Sequence, residues 1–296
     1  MTNAIHPDAD VGRVKLRVSR LERSVAFYKD VVGFEVLREE GRVAWLGTRG
    51  SDTPIVVLEE DASPPPRGRT AGLYHFAILV PDRPTLARVV RKLAKAGVPI
   101  GQADHLVSEA LYFDDPDRNG IEMYRDRPRD EWPRDASGGI RMATDPIDFD
   151  SLLSEATEPL DALPPGTKIG HVHLHVSDLA EAKRYYCDVL GFDIVTYYGG
   201  SALFVSAGGY HHHLGLNTWA GVGVPPAPER GPGLAYYSVV LPNKEALDAT
   251  LDALRRAGAP AERAADGGLR EERESSDEAW FAKDPFGNRI RFSIAK

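Results

Sequence analysis

The sequences RVKLRVS (residues 13–19) and HVHLHVS (residues 171–177) decide the fold, because each opens a stretch that the other repeats. The two stretches continue in parallel without a gap as far as Gly33-Phe34 and Gly191-Phe192. A second, related pair begins with HFAILVPDRPTL at residue 75 and YYSVVLPNKEAL at residue 236. The chain therefore holds four copies of one supersecondary unit, which we call units one to four in chain order.

Each unit has the pattern of a strand, a helix and three further strands. Apolar residues alternate along the opening segment, which is the period of a half-buried strand. An amphipathic segment follows, with Ser19 as the expected helix N-cap in unit one and Ser177 or Asp178 in unit three. The predicted helices end at glycines that permit a left-handed turn, namely Gly33, Gly97, Gly191 and Gly258. Short apolar runs such as residues 42–46 and 201–205 predict the later strands.

A stretch without this pattern separates units two and three. It begins with RPRDEWPRDASGG (residues 127–139), ends near residue 168 and holds one short helix candidate at 149–155. Its Pro, Asp and Gly content is typical of a linker. We therefore predict one domain at residues 10–126, a linker at 127–168 and a second domain at 169–296.

The composition indicates a soluble globular protein with small-molecule partners. Across 296 residues the formal net charge is −8 and the arginines are dispersed, which disfavours nucleic acid as a partner. No apolar run reaches membrane-spanning length and no charged-then-apolar leader opens the chain, so we expect no membrane association and a cytoplasmic location. The single cysteine, Cys187, rules out an intrachain disulfide and a zinc site built on several thiolates.

Metal-binding residue types occur at matching positions of the repeat. The first strands of the four units carry Arg13, His75, His171 and Tyr236 at the equivalent position, and Glu122 lies at the end of unit two. Two histidines and one carboxylate with open coordination positions form the facial triad of non-haem Fe(II) oxygenases. Paired in chain order, neither half of the sequence holds all three residues.

Three motifs carry a resemblance to a known family. They are DPDRNGIE (residues 115–122), GLYHFAIL (72–79) and GGYHHHLGLN (208–217). With the tandem units, they resemble the vicinal oxygen chelate superfamily, and more closely its two-domain catechol-2,3-dioxygenase members of Bacillus type. The resemblance covers nearly the whole chain except the linker. It implies an α+β fold in which four βαβββ units form two curved half-barrel sheets.

The resemblance also implies an activity and a metal. It implies extradiol ring cleavage of a catechol by dioxygen, a reaction of aromatic-hydrocarbon breakdown. The implied ligands are His75, His171 and Glu122, holding one Fe(II), or Mn(II), which the same ligand set serves. The expected partners are therefore a small catecholic substrate and dioxygen.

The distribution of these residues implies how the units pair. Units two and three together hold the complete triad. Units one and four hold Arg13, Tyr236 and Arg291, which cannot bind a divalent cation. We therefore expect the units to pair across the linker, or two chains to exchange halves and form a homo-oligomer. Either arrangement predicts one metal site per chain.

The resemblance also implies two catalytic residues beside the metal, His212 and Tyr112. His212, in the triple at residues 211–213, corresponds to a histidine that shuttles a proton next to bound dioxygen. A strand at the triple would put His211 and His213 on one face and His212 on the other. Local packing of a His-rich strand is the alternative, and we favour it for His211 and His213.

Tyr112, ten residues before the carboxylate ligand, corresponds to a tyrosine that faces the substrate. Simple packing beside Phe113 is the alternative for this side chain. His105 resembles a further pocket histidine of the family, but its spacing to Tyr112 is shorter. His173 and His175 share a strand face with His171, and we expect them to line the pocket or to support the ligands rather than to bind the metal.

Two other functions compete with ring cleavage. One is a glyoxalase-like metal-dependent isomerase or lyase, and the other is a non-catalytic protein that binds small molecules, as antibiotic-resistance proteins do. The isomerases use four protein ligands or a carboxylate base, and we place the fourth equivalent position at Arg13 or Arg291. The three metal-binding residue types disfavour the binding protein, and the arginine disfavours the isomerase.

Overall fold

The computed structural model describes residues 4–63, 68–136, 138–263 and 279–295. Units one and two follow the predicted order of strand, helix and three strands. The elements of unit one are β1 (Asp10–Val18), α1 (Leu21–Ala26, extended by a π-helical turn at Phe27–Val32), β2 (Glu35–Glu40), β3 (Val43–Gly47) and β4 (Val56–Glu60). Those of unit two are β5 (Gly72–Leu79), α2 (Arg83–Lys95), β6 (Gly101–Asp104), β7 (Ser108–Asp114) and β8 (Gly120–Asp126).

The linker and the last two units also follow the prediction. The linker holds a 3-10 turn (Arg129–Glu131) and the helix α3 (Phe149–Ser154). The elements of unit three are β9 (Lys168–His175), α4 (Leu179–Lys183, extended by a π-helical turn at Arg184–Val189), β10 (Asp193–Tyr198), β11 (Ala202–Ser206) and β12 (Leu214–Asn217). Those of unit four are β13 (Gly233–Leu241), α5 (Lys244–Arg256), β14 (Glu262–Arg263), β15 (Trp280–Lys283) and β16 (Arg289–Ile294).

The strands form two eight-stranded sheets that pair the units across the linker. Sheet A has the order β14-β15-β16-β13-β1-β4-β3-β2 and joins units four and one. Sheet B has the order β10-β11-β12-β9-β5-β8-β7-β6 and joins units three and two. The α+β class, the four βαβββ units and the cross-pairing are thereby confirmed within one chain. The domain boundaries stay a prediction, since each sheet takes strands from both sides of residues 127–168.

The helices cover one face of each sheet. Phe76 and Ile78 on β5 share a single buried cluster with Val14 and Leu16 on β1 and with the apolar sides of the helices. Alternate residues on the opposite face form separate small clusters, such as Ala77 with Tyr124. Because side chains alternate along a strand, the polar residues at 75, 122 and 171 point away from the helices.

The helix ends were predicted with one error. Asp178 caps α4 by accepting a hydrogen bond from the Glu181 amide, and all four predicted terminal glycines have positive φ. Ser19 does not cap α1: its hydroxyl donates to Asp117 at 2.6 Å, and Arg20 occupies the N-cap position without a side-chain bond. Among the described residues, no helix combines the length and the apolar character needed to cross a bilayer.

Candidate metal centre

Strand pairing in sheet B brings the three predicted ligands together. Strand β5 lies between β8 and β9, and Ala77 on β5 faces Glu122 on one side and His171 on the other. His75 lies two residues earlier on β5, on the same face. Because the Ala77 side chain is small, the side chains of His75, Glu122 and His171 have room to meet above it.

The three side chains converge at short range. His75 Nε2 and His171 Nε2 each lie 3.0 Å from the same oxygen, Oε2 of Glu122. The three residues are 6%, 1% and 2% exposed for His75, His171 and Glu122, respectively. One potential ligand atom from each residue lies within 4.8 Å of the others. The arrangement joins units two and three, as the ligand distribution predicted.

The protonation states suit a metal ion. Burial lowers the pKa of His171 to about 4, so that its ring is neutral at pH 7. Burial by itself would raise the pKa of the Glu122 carboxyl, but the adjacent His171 and His75 rings hold that pKa well below its usual range. Neutral imidazole and ionised carboxylate are the forms that bind divalent cations.

The donor set fits a first-row divalent ion. Two adjacent ligand atoms, each about 2.1 Å from an ion at right angles, are about 3.0 Å apart. Both nitrogen–oxygen distances to Glu122 have this length. His75 Nε2 is buried and, apart from its 3.0 Å contact with Glu122, has no hydrogen-bond partner within the described part of the chain, as expected for an atom that an ion would satisfy. Two imidazoles and a carboxylate are ligands suited to Fe(II).

The fourth equivalent position is Gly215, so the prediction of an arginine there was wrong. Gly215 on β12 faces His173 on β9, just as Glu122 on β8 faces Ala77 on β5. Arg13 and Arg291 belong to sheet A instead. The His173 ring lies directly over Gly215, where an added Cβ would approach it to 2.7 Å. The site thus offers three candidate protein ligands and has a glycine at the fourth position.

His173 lines the site and is held in a fixed orientation. Asn217 Nδ2 donates to His173 Nε2 at 2.9 Å, and the Asn217 oxygen accepts from His175 Nδ1 at 2.7 Å. Burial and the nearby His75 lower the pKa of His173 well below its usual range. The Tyr74 and Trp219 rings pack edge-on or tilted against it, with centroids 5.1 and 5.3 Å away. Together these side chains form an aromatic wall.

The histidine triple lies in a bend before β12, so the predicted strand there was wrong. His211 and His212 do not face opposite ways, since their Nδ1 atoms are 2.9 Å apart. The His212 ring lies over His171 with a centroid distance of 4.1 Å. His213 turns away from the site, accepting from the Ala207 amide at 3.0 Å and lying 3.5 Å from Asp10. His213 thus links the two sheets.

A hydrogen-bonded chain leads from His212 to a carboxylate that no sequence motif marks. Asp126, at the end of β8, accepts from His211 Nε2 and from the Tyr210 hydroxyl, both at 2.8 Å. His211, with its proton on Nε2, has Nδ1 free to accept from His212 Nδ1. His212 Nε2 is then the nitrogen left to exchange a proton in the site. Trp132 of the linker covers His211 at a centroid distance of 5.3 Å.

Tyr112 and His105 form a second pair beside Glu122. The Tyr112 hydroxyl lies 2.7 Å from His105 Nε2, and His105 Nδ1 lies 2.7 Å from the Ala143 carbonyl oxygen. His105 therefore donates through Nδ1 and accepts from Tyr112. Burial and the Glu122 charge raise the pKa of Tyr112 well above its usual value, which keeps the phenol protonated. An opening of about 410 Å³ beside His75 and Tyr112, edged by Tyr74, leads to this region.

The turn that delivers Glu122 is built by the Asp-Pro motif. Asp115 Oδ1 accepts from the Asp117 and Asn119 amides at 2.8 Å, and its other oxygen accepts from Tyr28 at 3.0 Å. Burial raises the pKa of Asp115 despite these bonds. Because Tyr28 belongs to unit one, this turn also fixes the two sheets against each other.

Comparisons with known proteins find similar chains. The chain is 53% identical over 259 residues to the catechol-2,3-dioxygenase of Bacillus subtilis, covering 86% of this chain and 90% of that protein. It is 25% identical to the 2,2',3-trihydroxybiphenyl dioxygenase of Sphingomonas paucimobilis over 82% of this chain and 74% of that one. The crystal structure of glyoxalase I from Zea mays matches with a TM-score of 0.56 at 16% identity, over 97% and 92% of the two chains. This last likeness shows the fold alone.

The family follows from the match to a family model. The model of the Glyoxalase/Bleomycin resistance protein/Dioxygenase superfamily matches residues 10–123 and 168–292. These two segments contain all four units and all three candidate ligands. The chain therefore belongs to the Glyoxalase/Bleomycin resistance protein/Dioxygenase superfamily.

Proposed function

We propose that this protein is an extradiol dioxygenase that cleaves the ring of a catechol at a mononuclear Fe(II) held by His75, Glu122 and His171. The observation that carries the proposal is the three-residue centre with Gly215 at its fourth position. The relative of 53% identity, which bears the name catechol-2,3-dioxygenase, supports this reaction over isomerisation. Mn(II) would fit the same ligands.

An open centre suits the proposed chemistry. Bound Fe(II) would bind both catechol oxygens and dioxygen and pass electrons between them. That demand for several free positions matches a site with three protein ligands. It does not match a site in which the protein supplies four. The overall reaction adds both atoms of O₂ to one catechol and needs no external reductant.

The walls of the site suit a flat, neutral ring. Tyr74, His173 and Trp219 present ring edges and faces beside the centre. Such aromatic contacts stabilise a stacked substrate ring without requiring charge. The burial of the three ligands keeps bulk water from the reacting atoms.

His212 would move the proton that the reaction releases and consumes. An ion held by the three residues would make a catechol hydroxyl more acidic, so a nearby base is needed to take up its proton. His212 Nε2 can take such a proton and later return it to a reacting oxygen. The Asp126 carboxylate, acting through His211, would stabilise the positive charge that His212 carries meanwhile. General acid–base steps of this kind are worth roughly 10²–10⁴ in rate.

Tyr112 would hold the substrate by a hydrogen bond. Its phenol stays protonated and lies beside Glu122. Because its proton is donated to His105, the Tyr112 oxygen can accept a hydrogen bond from a catechol hydroxyl, while His105 positions the ring. Tyr112 and His105 approach the centre from β7 and from the segment before it, and His212 approaches from unit three. Substrate and proton donor are thus positioned by different units.

Oxygen uptake tests the proposal directly. Protein purified without oxygen and loaded with one Fe(II) per chain should consume one O₂ per catechol and form a yellow semialdehyde cut beside the diol. With ¹⁸O₂, both labelled atoms should appear in the product. Glu122→Gln should abolish uptake, while His6→Ala, at a histidine outside the centre whose ring contacts Asp8, should leave it unchanged. Iron-loaded protein that consumes no oxygen with any simple catechol would overturn the proposal.

A further inference from the structure

Sheet A carries a polar site at the place where sheet B carries the candidate metal centre. Ser238 on β13 occupies the place of Ala77 and pairs with Arg291 on β16. On its other side a bulge in β1 puts Gly12 and Arg13 opposite Ser238. Strand pairing therefore places two arginines where sheet B places His171 and Glu122.

A cavity of about 860 Å³ lies over this position. It is roughly twice the volume of the opening beside His75, which is about 410 Å³. Both volumes are within the range of small-molecule sites. Arg13, Ser238 and Arg291 all line the larger cavity. The larger cavity thus belongs to the sheet without metal ligands.

The lining of the cavity is positively charged in an acidic protein. Among the described residues that line it, the basic ones are Arg13, Arg38, Lys168 and Arg291, against the single acid Asp52. The whole chain has a formal net charge of −8. Lys168 is paired with Asp10. A local excess of positive charge raises the concentration of anions at such a cavity.

Arg13 and Ser238 have unused hydrogen-bonding capacity. Arg13 is partly exposed and forms no hydrogen bond or ion pair with another described residue. The Ser238 hydroxyl is buried, in a side chain that is 1% exposed, and has no hydrogen-bond partner within the described ranges. Buried hydroxyls are rarely left unsatisfied without a reason such as a bound ligand. Both groups can bond an oxygen-bearing ligand inside the cavity.

The remainder of the lining is apolar and aromatic. Trp45 is largely buried, and the Arg38 guanidinium lies 3.8 Å over its ring. Leu37, Ile55 and Val240 also face the cavity. A ligand that uses the whole cavity needs an anionic head for the arginines and an apolar body for this wall.

We infer that the sheet A cavity is a second small-molecule site, which binds a carboxylate carried on an apolar body. Arginine binds carboxylates through two parallel hydrogen bonds, which favours this head group. The Arg13 guanidinium supplies the fork and Ser238 a further donor. Catechol lacks a carboxylate and would not be held. The inference concerns sheet A alone and does not depend on the proposed dioxygenase activity.

Calorimetric titration of the full, metal-free chain with benzoate tests the inference. Binding at one site per chain is expected, and Arg13→Gln should weaken it at least tenfold, because a charge-assisted bond is lost. Arg13→Lys should weaken it less, and Ser238→Ala by a few-fold. Arg184→Gln, which removes a surface arginine elsewhere, is the matched control and should bind as the parent does. Since Arg13 has no partner among the described residues, its variants should fold normally.

Two further titrations distinguish this site from the candidate metal centre and from a general anion site. His171→Ala should retain benzoate binding, because the candidate metal centre is not involved. Inorganic phosphate should compete only at concentrations well above those of benzoate. Absence of binding below 10 mM benzoate (about 3 kcal/mol or less of affinity) would overturn the inference. So would a dissociation constant of Arg13→Gln within twofold of that of the parent. Loss of benzoate binding in His171→Ala, or displacement of benzoate by equimolar phosphate, would also overturn it.

Discussion

Asp126→Asn tests whether the carboxylate behind the histidine triple acts on catalysis. In the structure Asp126 accepts from His211 and Tyr210, each at 2.8 Å, and His211 in turn meets His212 at 2.9 Å. An asparagine keeps the shape and one acceptor but removes the charge. The Asp126 side chain does not touch the three candidate ligands, so metal content should not change.

The size of the effect follows from the hydrogen bond that loses its charge. A hydrogen bond to a charged group is worth about 1.5–3 kcal/mol net, and a neutral one about 0.5–1.5 kcal/mol. The difference of about 1–1.5 kcal/mol stabilises the protonated His212, so kcat should fall about tenfold. If the amide turns its NH₂ toward His211, the tautomer changes and the loss grows toward about 10⁴, as for an analogous triad.

A double variant decides whether Asp126 acts through His212. His212→Ala should lower kcat by roughly 10²–10⁴ with metal retained. Adding Asp126→Asn to His212→Ala should cost nothing further, because the group it stabilises is gone. Asp193→Asn, on an exposed strand edge, is the control. Steady-state oxygen uptake at saturating catechol gives kcat, and a full additional tenfold loss in the double variant would refute the reasoning.

Three further outcomes are expected. Gly215→Ala should destabilise the fold by about 1–3 kcal/mol, because its Cβ would meet the His173 ring at 2.7 Å. Gly101→Ala, whose Cβ would have its nearest contact at 3.4 Å, should destabilise the fold less. Denaturant midpoints measure both losses of stability, and equal losses would contradict the packing. Tyr112→Phe should keep the metal and raise KM for catechol while lowering kcat, and unchanged kinetics would return Tyr112 to a packing role. Burial raises the pKa of Asp284 to about 6 in the folded chain, above its unfolded value near 3.8. The native state thus binds this proton more tightly, so the contribution of Asp284 to stability is full below about pH 4 and is lost as pH rises through 6. Asp284→Asn should remove this part of the pH dependence of the free energy of unfolding. An unchanged pH profile in this variant would contradict the argument.

The repeat in the sequence made it possible to predict the fold and the convergence of the three candidate ligands. Equivalent positions in repeated units occupy equivalent sheet positions, so the residue types at 13, 75, 171 and 236 predicted which units pair. The positions of His75 and His171 follow from strand alternation. Glu122 follows from the short turn between Asp115 and Asn119. These features depend on local geometry that a sequence pattern records.

The features that were missed depend on loops and on register. The triple at 211–213 directly precedes the strand Leu214–Asn217, but it lies in a bend where the alternation of a strand does not apply. Asp126 carries no motif, and only the approach of unit three brings His211 to it. Gly215 could not be identified as the fourth position without the pairing of β12 with β9. Ser19 matched the capping preference but found Asp117 across the fold.

Metal content measures the central claim most directly. Protein prepared without oxygen and supplied with Fe(II) should hold one ion per chain after desalting. Glu122→Gln and His171→Ala should each lower this content to a small fraction while circular dichroism stays that of the parent, and His6→Ala should keep the full ion. Two of three protein ligands cannot hold the ion firmly, which is why the loss should be nearly complete. Full occupancy in Glu122→Gln or in His171→Ala would contradict a centre built from His75, Glu122 and His171.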